Sequence, residues 1–577
     1  MDKTIKIIKN ITIEILIIFF YILLINNYLG NADKTINADG EGYYEYLPSL
    51  FIHHDIFRKN STTEQDPTLY ERISKYGFYV NYQNFKVNKY PCGTAVLEAP
   101  FFFYTYLTTP LAGDENDGYQ LPFQRTVFHA AIFYLFLSLL FLARILKLYD
   151  VRKSIIVIIQ LLVVFSTGVL HYANYEAGFS HIYSMFAITA FAYFSKTFFI
   201  NRQRKDILFA SLFLGLILIL RQFNVVIILF IPFLAGSFAD LKAGLSIFKD
   251  LRTVLFSLLI ILGLFSIQSF FWYAQTGHFL VYSYQGEGFN FLEPEIVNVL
   301  FSYRKGLFIY TPILIISLFG LLYLAYKRQF YLLVTWLLFF SILTYLLSSW
   351  HSWFYGCSYG QRPYIDYYII FFILLGIFLN RINHIFSVLI ILISLVTIPI
   401  NIIQTYQYKS FIMHWILMDE RKYWDIFLKT SDKYRGLVWK KTYDLNHQTV
   451  VAEFDLGDMK IEKDTDTVIF KINTDTLKDL DNVNIIRLQM DNHFNEQNNS
   501  RIILSIKDML YNKSYYWHST PLILFKERKF DEWQTGIYNY EFNPIPDSIS
   551  KNLQIQIVSV GGPNILKNVR LSYLRKK

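Results

Sequence analysis

Charged side chains are scarce in this chain. Of its 577 residues, 17% are charged and 53% are apolar, whereas soluble domains usually carry roughly 25% charged residues. This scarcity excludes an ordinary soluble domain for most of the chain. It predicts a protein that lies largely within a membrane.

The chain also lacks a small-residue cleavage site after its first apolar run, which argues against a cleaved signal peptide and predicts a permanent anchor. A helix needs about 20 apolar residues to cross the hydrocarbon core. Runs near that length recur before residue 405, so about eleven transmembrane helices are predicted. They cover residues 11–29, 126–146, 154–170, 179–200, 207–220, 224–238, 253–273, 306–326, 330–348, 365–379 and 385–403.

Lysine and arginine in short loops mark the cytoplasmic side of a membrane protein. If the count of spans is right, the basic clusters all fall on one side, so the N-terminus is predicted to be cytoplasmic. The net charge of +9 is then explained by topology and requires no nucleic-acid partner. The segments predicted to face outward are 30–123, 172–178, 274–305, 349–364 and the C-terminal tail.

Cysteine is almost absent, and no metal-binding pattern is present. Cys92 and Cys357 both fall in outward loops, where an oxidising compartment would permit a bridge and where two unpaired thiols are equally compatible. His53, His54 and Asp55 do not have the spacing of a zinc site. No cofactor is predicted, and the requirement for a divalent metal is left open.

The composition changes near residue 404, after which short alternating stretches replace the long apolar runs. Period-two alternation predicts antiparallel strands, here a small β-sandwich. The chain is therefore predicted to have a membrane domain, residues 1–405 with a first outer loop at 30–123, and a periplasmic β-rich domain, residues 406–577. The clearest alternating stretches are 449–456, 467–472 and 553–560.

Acidic residues follow the first predicted span. Asp39 and Glu41 lie among Tyr43 and Tyr44, where carboxylates at a membrane surface indicate chemistry. A solvated loop without a role is the alternative. The cations and aromatic residues of the other outer loops favour a functional site over a solvated loop.

Two further outer loops carry cations on the side where the positive-inside rule disfavours them. Arg304 and Lys305 end the loop after the seventh span, and Arg362 lies in the loop after the ninth. A phosphate at the outer interface would explain all three, since Arg offers a forked donor and Lys a point charge. Pairing with the loop's own acids, Glu287, Glu293 or Glu295, is the alternative for the first two.

Aromatic and polar residues near these cations are candidates for binding a sugar. Aromatic faces stack on sugars, although an aromatic belt at the membrane interface gives the same composition. The candidate substrate-binding residues are Tyr43, Tyr44, Glu176, His181, Tyr284, Gln285, Trp350, Trp353 and Gln361.

Three motifs carry a resemblance to a known superfamily. They are DGxGYYxYLP at 39–48, FSxRKGLFxxTP at 301–312 and SxGQRxYxD at 358–366. With the many spans and the outward C-terminal domain, they resemble the polytopic GT-C glycosyltransferases. The type is similar to the protein mannosyltransferases and aminoarabinose transferases, in a bacterial branch, and the resemblance covers residues 1–405.

The resemblance implies an inverting transfer from a polyprenyl-phosphate sugar to a glycan, lipid or protein acceptor, in the bacterial inner membrane. By motif, Asp39 takes the position of the general base. Many relatives have an acidic pair there, so Glu41 is a second candidate. The cations Arg304, Lys305 and Arg362 are expected to meet the donor phosphate.

Two other functions compete with a glycosyltransferase. A flippase or transporter of lipid-linked saccharides needs ionisable residues at depth, and the predicted spans are almost free of charge, with Arg221 the main exception. This favours the enzyme. A non-catalytic glycan-binding membrane protein is the third hypothesis, because a sandwich can itself bind carbohydrate.

Overall fold

The chain divides into two compact units, residues 1–405 and 406–577. The computed structural model describes residues 2–30, 34–54, 78–109, 117–431, 434–435, 448–462, 465–473, 483, 485–493, 500–508, 513–522, 533–541, 551–559 and 564–576.

Among its described residues, the regular secondary structure of the first unit is helical apart from one β-hairpin. Its α-helices are α1 (Asp2–Leu24), α2 (Asp39–Tyr44), α3 (Tyr46–Phe51), α4 (Gly93–Thr108), α5 (Leu121–Leu148), α6 (Lys153–Phe165), α7 (Val169–Tyr172), α8 (His181–Asn201), α9 (Arg204–Leu220), α10 (Ile231–Ala235), α11 (Phe238–Leu245), α12 (Leu251–Thr276), α13 (Ile296–Phe301), α14 (Leu307–Tyr310), α15 (Ile313–Tyr326), α16 (Phe330–Ser348), α17 (Tyr368–Arg381) and α18 (His384–Lys409). A π-helical turn (Ile25–Leu29) extends α1, and 3-10 helices cover Gln222–Phe230, Ser246–Lys249 and Arg362–Tyr367. The hairpin pairs β1 (Tyr79–Tyr82) with β2 (Phe85–Asn88).

The long apolar helices differ in how much of their surface the protein itself covers. The most apolar window of the helical stretch Arg362–Arg381 is 83% buried, whereas those of α12 and α18 are 11% and 22% buried. An apolar helix face left uncovered by protein suits contact with lipid. The stretch that begins at Arg362 therefore lies inside the helical unit, and α12 and α18 lie at its edge.

Five helices of the described residues are long and apolar enough to cross a membrane, or six if a bent pair counts as one span. They are Leu121–Leu148, Leu251–Thr276, Phe330–Ser348, Arg362–Arg381 and His384–Lys409, and the bent pair is Gln222–Ala235 with Phe238–Lys249. This is the architecture of a multi-pass membrane protein.

The prediction of about eleven spans is only partly reproduced by these helices. The predicted sixth span, 224–238, falls in the pair of helices bent by 120°. Predicted spans one, three and eight overlap apolar helical stretches of fewer than 18 residues. These stretches are Ile13–Leu29, which combines part of α1 with the π-helical turn, Lys153–Phe165 and Ile313–Tyr326. A run of apolar letters does not report where a helix breaks or bends, and these helices do not confirm eleven spans. Eleven stays a prediction.

The second unit contains two four-stranded antiparallel sheets whose apolar faces share one core. Burial alternates along β5, where Ile486, Leu488 and Met490 are fully buried, as expected for a half-buried strand. The alternating stretches 449–456, 467–472 and 553–560 fall within or largely within β3, β4 and β9. The sheet orders are β3-β10-β5-β8 and β4-β9-β6-β7. The elements are α19 (Glu420–Ile426), β3 (Gln448–Ile461), β4 (Asp466–Asn473), β5 (Ile485–His493), β6 (Arg501–Asp508), β7 (Lys513–Pro521), β8 (Trp533–Glu541), β9 (Lys551–Val558) and β10 (Asn564–Lys576).

Candidate functional site

A cavity of about 570 Å³ lies in the helical unit, where several predicted outer loops meet. Its lining combines charged and phenolic groups with aromatic rings. It is lined by Asp39, Tyr43, Lys89, Tyr90, His181, Arg221, Gln222, Phe223, Tyr282, Tyr284, Glu287, Phe289, Leu347, Trp350, His351, Ser352, Tyr355, Gly356 and Arg362. Among these are six residues that the sequence predicts for the site: Asp39, Tyr43, His181, Tyr284, Trp350 and Arg362.

The charged centre of the cavity is an ion pair between the first and third motifs. Arg362 Nη1 lies 2.6 Å from Asp39 Oδ2, and the two side chains are 12% and 24% exposed. Burial raises the pKa of the Asp39 carboxyl, but Arg362, a hydrogen bond with Tyr90 and the charge of Lys89 together lower it below its usual value. Asp39 is therefore a carboxylate at neutral pH, held by a guanidinium and a phenol.

Two glycines allow the helix that begins at Asp39 to fit against its neighbours. A Cβ on Gly40 would lie 3.2 Å from the backbone of Gly178, so the two loops meet main chain to main chain. A Cβ on Gly42 would lie 2.3 Å from the ring of Tyr90. The absence of a side chain there lets the tyrosine that bonds Asp39 reach its position.

The β-hairpin fixes this arrangement from the other side. Asn88 Nδ2 donates to the carbonyl of Gly42 at 2.7 Å, and its Oδ1 accepts from the amide of Tyr90 at 3.0 Å. Lys89, which lies between Asn88 and Tyr90 in the sequence, forms an ion pair with Glu287, and its Nζ is 5.2 Å from the ring centre of Tyr284. A cation is thus placed beside the ion pair at the rim of the cavity.

A second charged cluster is centred on Asp366, whose side chain is fully buried. Its Oδ1 lies 2.8 Å from Nδ1 of His181, and its Oδ2 accepts from Asn224 at 2.7 Å and from Arg221 Nη1 at 3.3 Å. Tyr367 in turn donates to Asn224 at 2.8 Å. A buried carboxylate with several donors holds those donors in fixed positions. Asp366 therefore orients His181 and Arg221, which both line the cavity.

Part of the cavity lining is an aromatic wall formed by Phe223, Tyr284, Phe289 and Trp350. The ring centres of Phe289 and Trp350 are 4.9 Å apart, and those of Tyr284 and Trp350 are 5.8 Å apart. Main-chain pairing between Phe289 and Trp350 joins their two loops. The cavity lining thus contains aromatic rings as well as cations and a carboxylate.

The other two predicted phosphate-binding cations are not among the residues that line the cavity. The Arg304 guanidinium lies over the rings of Trp353 and Phe354, at 5.6 and 5.2 Å from their centres. Lys305 is buried, and its Nζ donates to Phe354 O at 2.9 Å and also to Gly356 O and Ser358 Oγ. Burial lowers the pKa of the Lys305 ammonium well below its usual value. Lys305 holds together the loop that carries Tyr355 and Gly356 to the cavity.

Six further predicted residues also lie outside the lining of the cavity. Glu41, the second candidate base, is 7% exposed. The hydroxyl of Tyr44 donates to Gly118 O at 2.9 Å, Gln361 donates to Trp353 O at 3.2 Å, and Gln285 donates to Tyr282 O. The remaining two are Trp353, described above, and Glu176, which lies 3.3 Å from Nε2 of His171. Their roles stay predictions.

Sequence reasoning did not assign Lys89, Tyr90 or Arg221 to the site. Arg221 had a signal, because an isolated charge at the end of an apolar run is by default a candidate functional residue. Lys89 and Tyr90 are ordinary residues of a long loop. Nothing in the sequence relates them to Asp39 before the hairpin brings them together.

Metal and thiol chemistry were the open points of the sequence. In the part of the chain that the structure describes, no group of three His, Cys, Asp or Glu side chains could hold a metal ion. Asp55 lies outside the described residues. Cys92 is buried, Cys357 is exposed, and both are free thiols. Of the two alternatives for the cysteines, the structure has the unpaired one.

No protein-family model matches the chain, and no curated protein matches it in sequence. Among solved structures it is similar to the oligosaccharyltransferase of Archaeoglobus fulgidus in the apo form, with 11% identity and a TM-score of 0.40, over 68% of this chain and 55% of that one. It is also similar to the archaeal oligosaccharyltransferase AglB from Archaeoglobus fulgidus in complex with an inhibitory peptide and a dolichol-phosphate, with 10% identity and a TM-score of 0.38, over 70% and 56%. The chain thus matches little more than half the length of these two proteins.

Proposed function

We propose that the protein is an inverting membrane glycosyltransferase that moves a sugar from a polyprenyl-phosphate donor to a glycan, lipid or protein acceptor. The observation that carries the proposal is the meeting of Asp39 and Arg362 in one cavity, which the aromatic wall also lines. A proton acceptor, a phosphate ligand and a surface for a sugar ring are what such a transfer requires.

The reaction assigned to this cavity has one displacement. The acceptor hydroxyl oxygen bonds to the anomeric carbon, the bond from that carbon to the phosphate oxygen breaks, and the electron pair leaves with the phosphate. Asp39 accepts the hydroxyl proton, and Arg362 meets the charge that develops on the leaving phosphate. Attack opposite the leaving group inverts the anomeric centre.

The aromatic wall would bind the sugar in the same cavity as these two groups. Sugar rings have apolar faces that pack on aromatic rings, and Trp350 and Phe289 each present part of such a surface. The apolar helices of the unit would leave the polyprenyl chain in lipid while its phosphate enters the cavity. We place the protein in the bacterial inner membrane, with the N-terminus cytoplasmic and with the site and the β-rich domain periplasmic.

The test is transfer by the purified protein. Detergent-purified protein is incubated with radiolabelled polyprenyl-phosphate sugars and total cell-envelope extract, and labelled products are separated from the donor. Asp39→Asn keeps the shape and removes the proton acceptor, so transfer is expected to fall by about 10² to 10⁴, the usual contribution of general acid–base catalysis. Glu41→Gln tests the second candidate base by the same change of charge two residues away.

An Asp240→Asn variant controls for the loss of a carboxylate, because Asp240 pairs with Arg202 outside the cavity lining. It is expected to transfer sugar at the wild-type rate. If no donor of the panel gives a labelled product with the wild type, while the protein moves the labelled lipid across vesicles, the chain is a transporter. If Asp39→Asn keeps more than about a tenth of the rate, Asp39 is not the base.

A further inference from the structure

The cation predicted to bind the donor phosphate is already occupied by a carboxylate. Arg362 Nη1 lies 2.6 Å from Asp39 Oδ2. A phosphate oxygen and a carboxylate oxygen are both anionic acceptors for the same guanidinium donors. Asp39 therefore stands where an oxygen of a bound phosphate would stand, and the two anions compete for Arg362.

Arg221 is placed differently in the same cavity. Its partner Asp366 is fully buried and also bonds His181 and Asn224, while Arg221 itself is 19% exposed. Among the described residues, the hydrogen bonds of Arg221 are all made by Nη1. The other nitrogens of its guanidinium are left for a ligand, and the ligand does not need to displace Asp366 to reach them.

We infer that Arg221 and Arg362 together form a phosphate-binding site, that Asp366 positions Arg221 in it, and that phosphate displaces Asp39 from Arg362. This inference rests on the proposed function for the identity of the phosphate as the headgroup of a polyprenyl lipid. Inorganic phosphate offers the same anionic oxygen acceptors, so the chemistry assigned to the site is that of a phosphate ester or free phosphate.

The displacement links donor binding to the freeing of the base. While Asp39 is paired with Arg362, its Oδ2 is bound to the guanidinium. Once phosphate takes the guanidinium, the carboxylate is released toward the acceptor hydroxyl. The apparent affinity for phosphate is lowered by the fraction of protein in which Arg362 is free. Removing the charge of Asp39 should therefore tighten the binding of phosphate, although it abolishes transfer.

The experiment measures the affinity of the purified full-length protein for polyprenyl monophosphate and, separately, for inorganic phosphate. Asp39→Asn is expected to bind polyprenyl monophosphate about tenfold more tightly than the wild type, which corresponds to about 1.4 kcal/mol. Arg221→Gln is expected to bind it about tenfold more weakly. Asp240→Asn, the carboxylate control, is expected to leave the affinity unchanged.

A double variant separates competition from a general effect of charge. In the background of Arg362→Gln there is no pair to break, so adding Asp39→Asn should give much less tightening than it gives in the wild type. Arg362→Met, which also removes the positive charge, replaces Arg362→Gln if the latter does not fold. Tightening seen only with inorganic phosphate supports the anion site but assigns it to free phosphate.

Equal or weaker binding by Asp39→Asn, in a variant with the wild-type melting temperature, would overturn the displacement. Unchanged binding by Arg221→Gln would remove Arg221 from the site. The binding assay needs no transfer, so its failure is separate from that of the proposed function. If the wild type transfers sugar but Asp39→Asn does not bind phosphate more tightly, the glycosyltransferase stands and the displacement is refuted. If Asp39→Asn binds more tightly but the wild type transfers no sugar, the displacement stands and the glycosyltransferase is refuted.

Discussion

The Arg362→Gln variant removes the cation that both holds Asp39 and is proposed to meet the phosphate. In the wild type, the 2.6 Å contact places the charge centres about 4 Å apart, where an effective dielectric constant of 20 gives roughly 4 kcal/mol of attraction. The loss of one charge-assisted contact to a developing anion commonly costs about 3 kcal/mol. The rate of transfer is therefore expected to fall about a hundredfold.

The same variant should also change the pH dependence of the residual activity. Burial raises the pKa of Asp39, and Arg362 is the strongest of the groups that lower it. Without Arg362 the pKa of Asp39 rises. A base must be ionised to work, so the acid-side fall in rate moves to higher pH than in the wild type.

Initial rates of transfer across a pH series, at saturating donor, measure both effects. Arg362→Lys keeps a positive charge but loses the forked donor, so its rate should lie between those of the wild type and Arg362→Gln, with a smaller displacement of the acid limb. An Arg362→Gln protein that keeps the wild-type rate and the wild-type acid limb would refute the assignment of both roles to Arg362.

Three other perturbations test the surroundings of the site. Gly42→Ala forces the neighbouring Tyr90 ring away from the Asp39 carboxylate, so transfer should fall by about a hundredfold, as for a misplacement near 1 Å; Gly263→Ala, whose Cβ would meet nothing within 4 Å, should keep its rate. Lys305→Gln removes the ammonium donor from the oxygens of Phe354, Gly356 and Ser358, so the free energy of unfolding should fall by roughly 1–3 kcal/mol. The measurement is the melting temperature in detergent, and an unchanged melting temperature would contradict the structural role of Lys305. For topology, an impermeant maleimide should label native Cys357 from outside. A cysteine placed by Asp150→Cys, in a Cys357→Ser background, should be labelled only from inside, and the reverse pattern would show the opposite orientation.

Sequence reasoning found the ends of the central ion pair but not the pair itself. Asp39 was marked by its place after the first span, and Arg362 by a positive charge on the side where Lys and Arg are disfavoured. That the two touch depends on the folding of loops far apart in the chain. No local pattern encodes that contact.

Lys305 illustrates a different limit. Its charge is conspicuous in the sequence, and a phosphate was a reasonable partner for it. In the structure, two of its oxygen partners are main-chain carbonyls, those of Phe354 and Gly356. Every residue has a carbonyl, so a cation satisfied by the backbone leaves no signature in the letters of its partners. The bend near the apolar run 224–238 leaves no signature for a related reason, since hydropathy does not record a bend.

The two loops that carry Tyr284, Phe289 and Trp350 of the aromatic wall are joined through their main chains. The amide of Asn290 donates to Ser349 O at 2.6 Å, that of His351 to Gly288 O at 2.9 Å, and that of Glu295 to Ser348 O at 3.0 Å. Because these bonds do not depend on side-chain identity, the rings of the wall can be exchanged without dismantling the loops that present them. Substrate preference could thus diverge among descendants of this chain by replacement of single rings, while the charged side of the cavity and its chemistry stay the same.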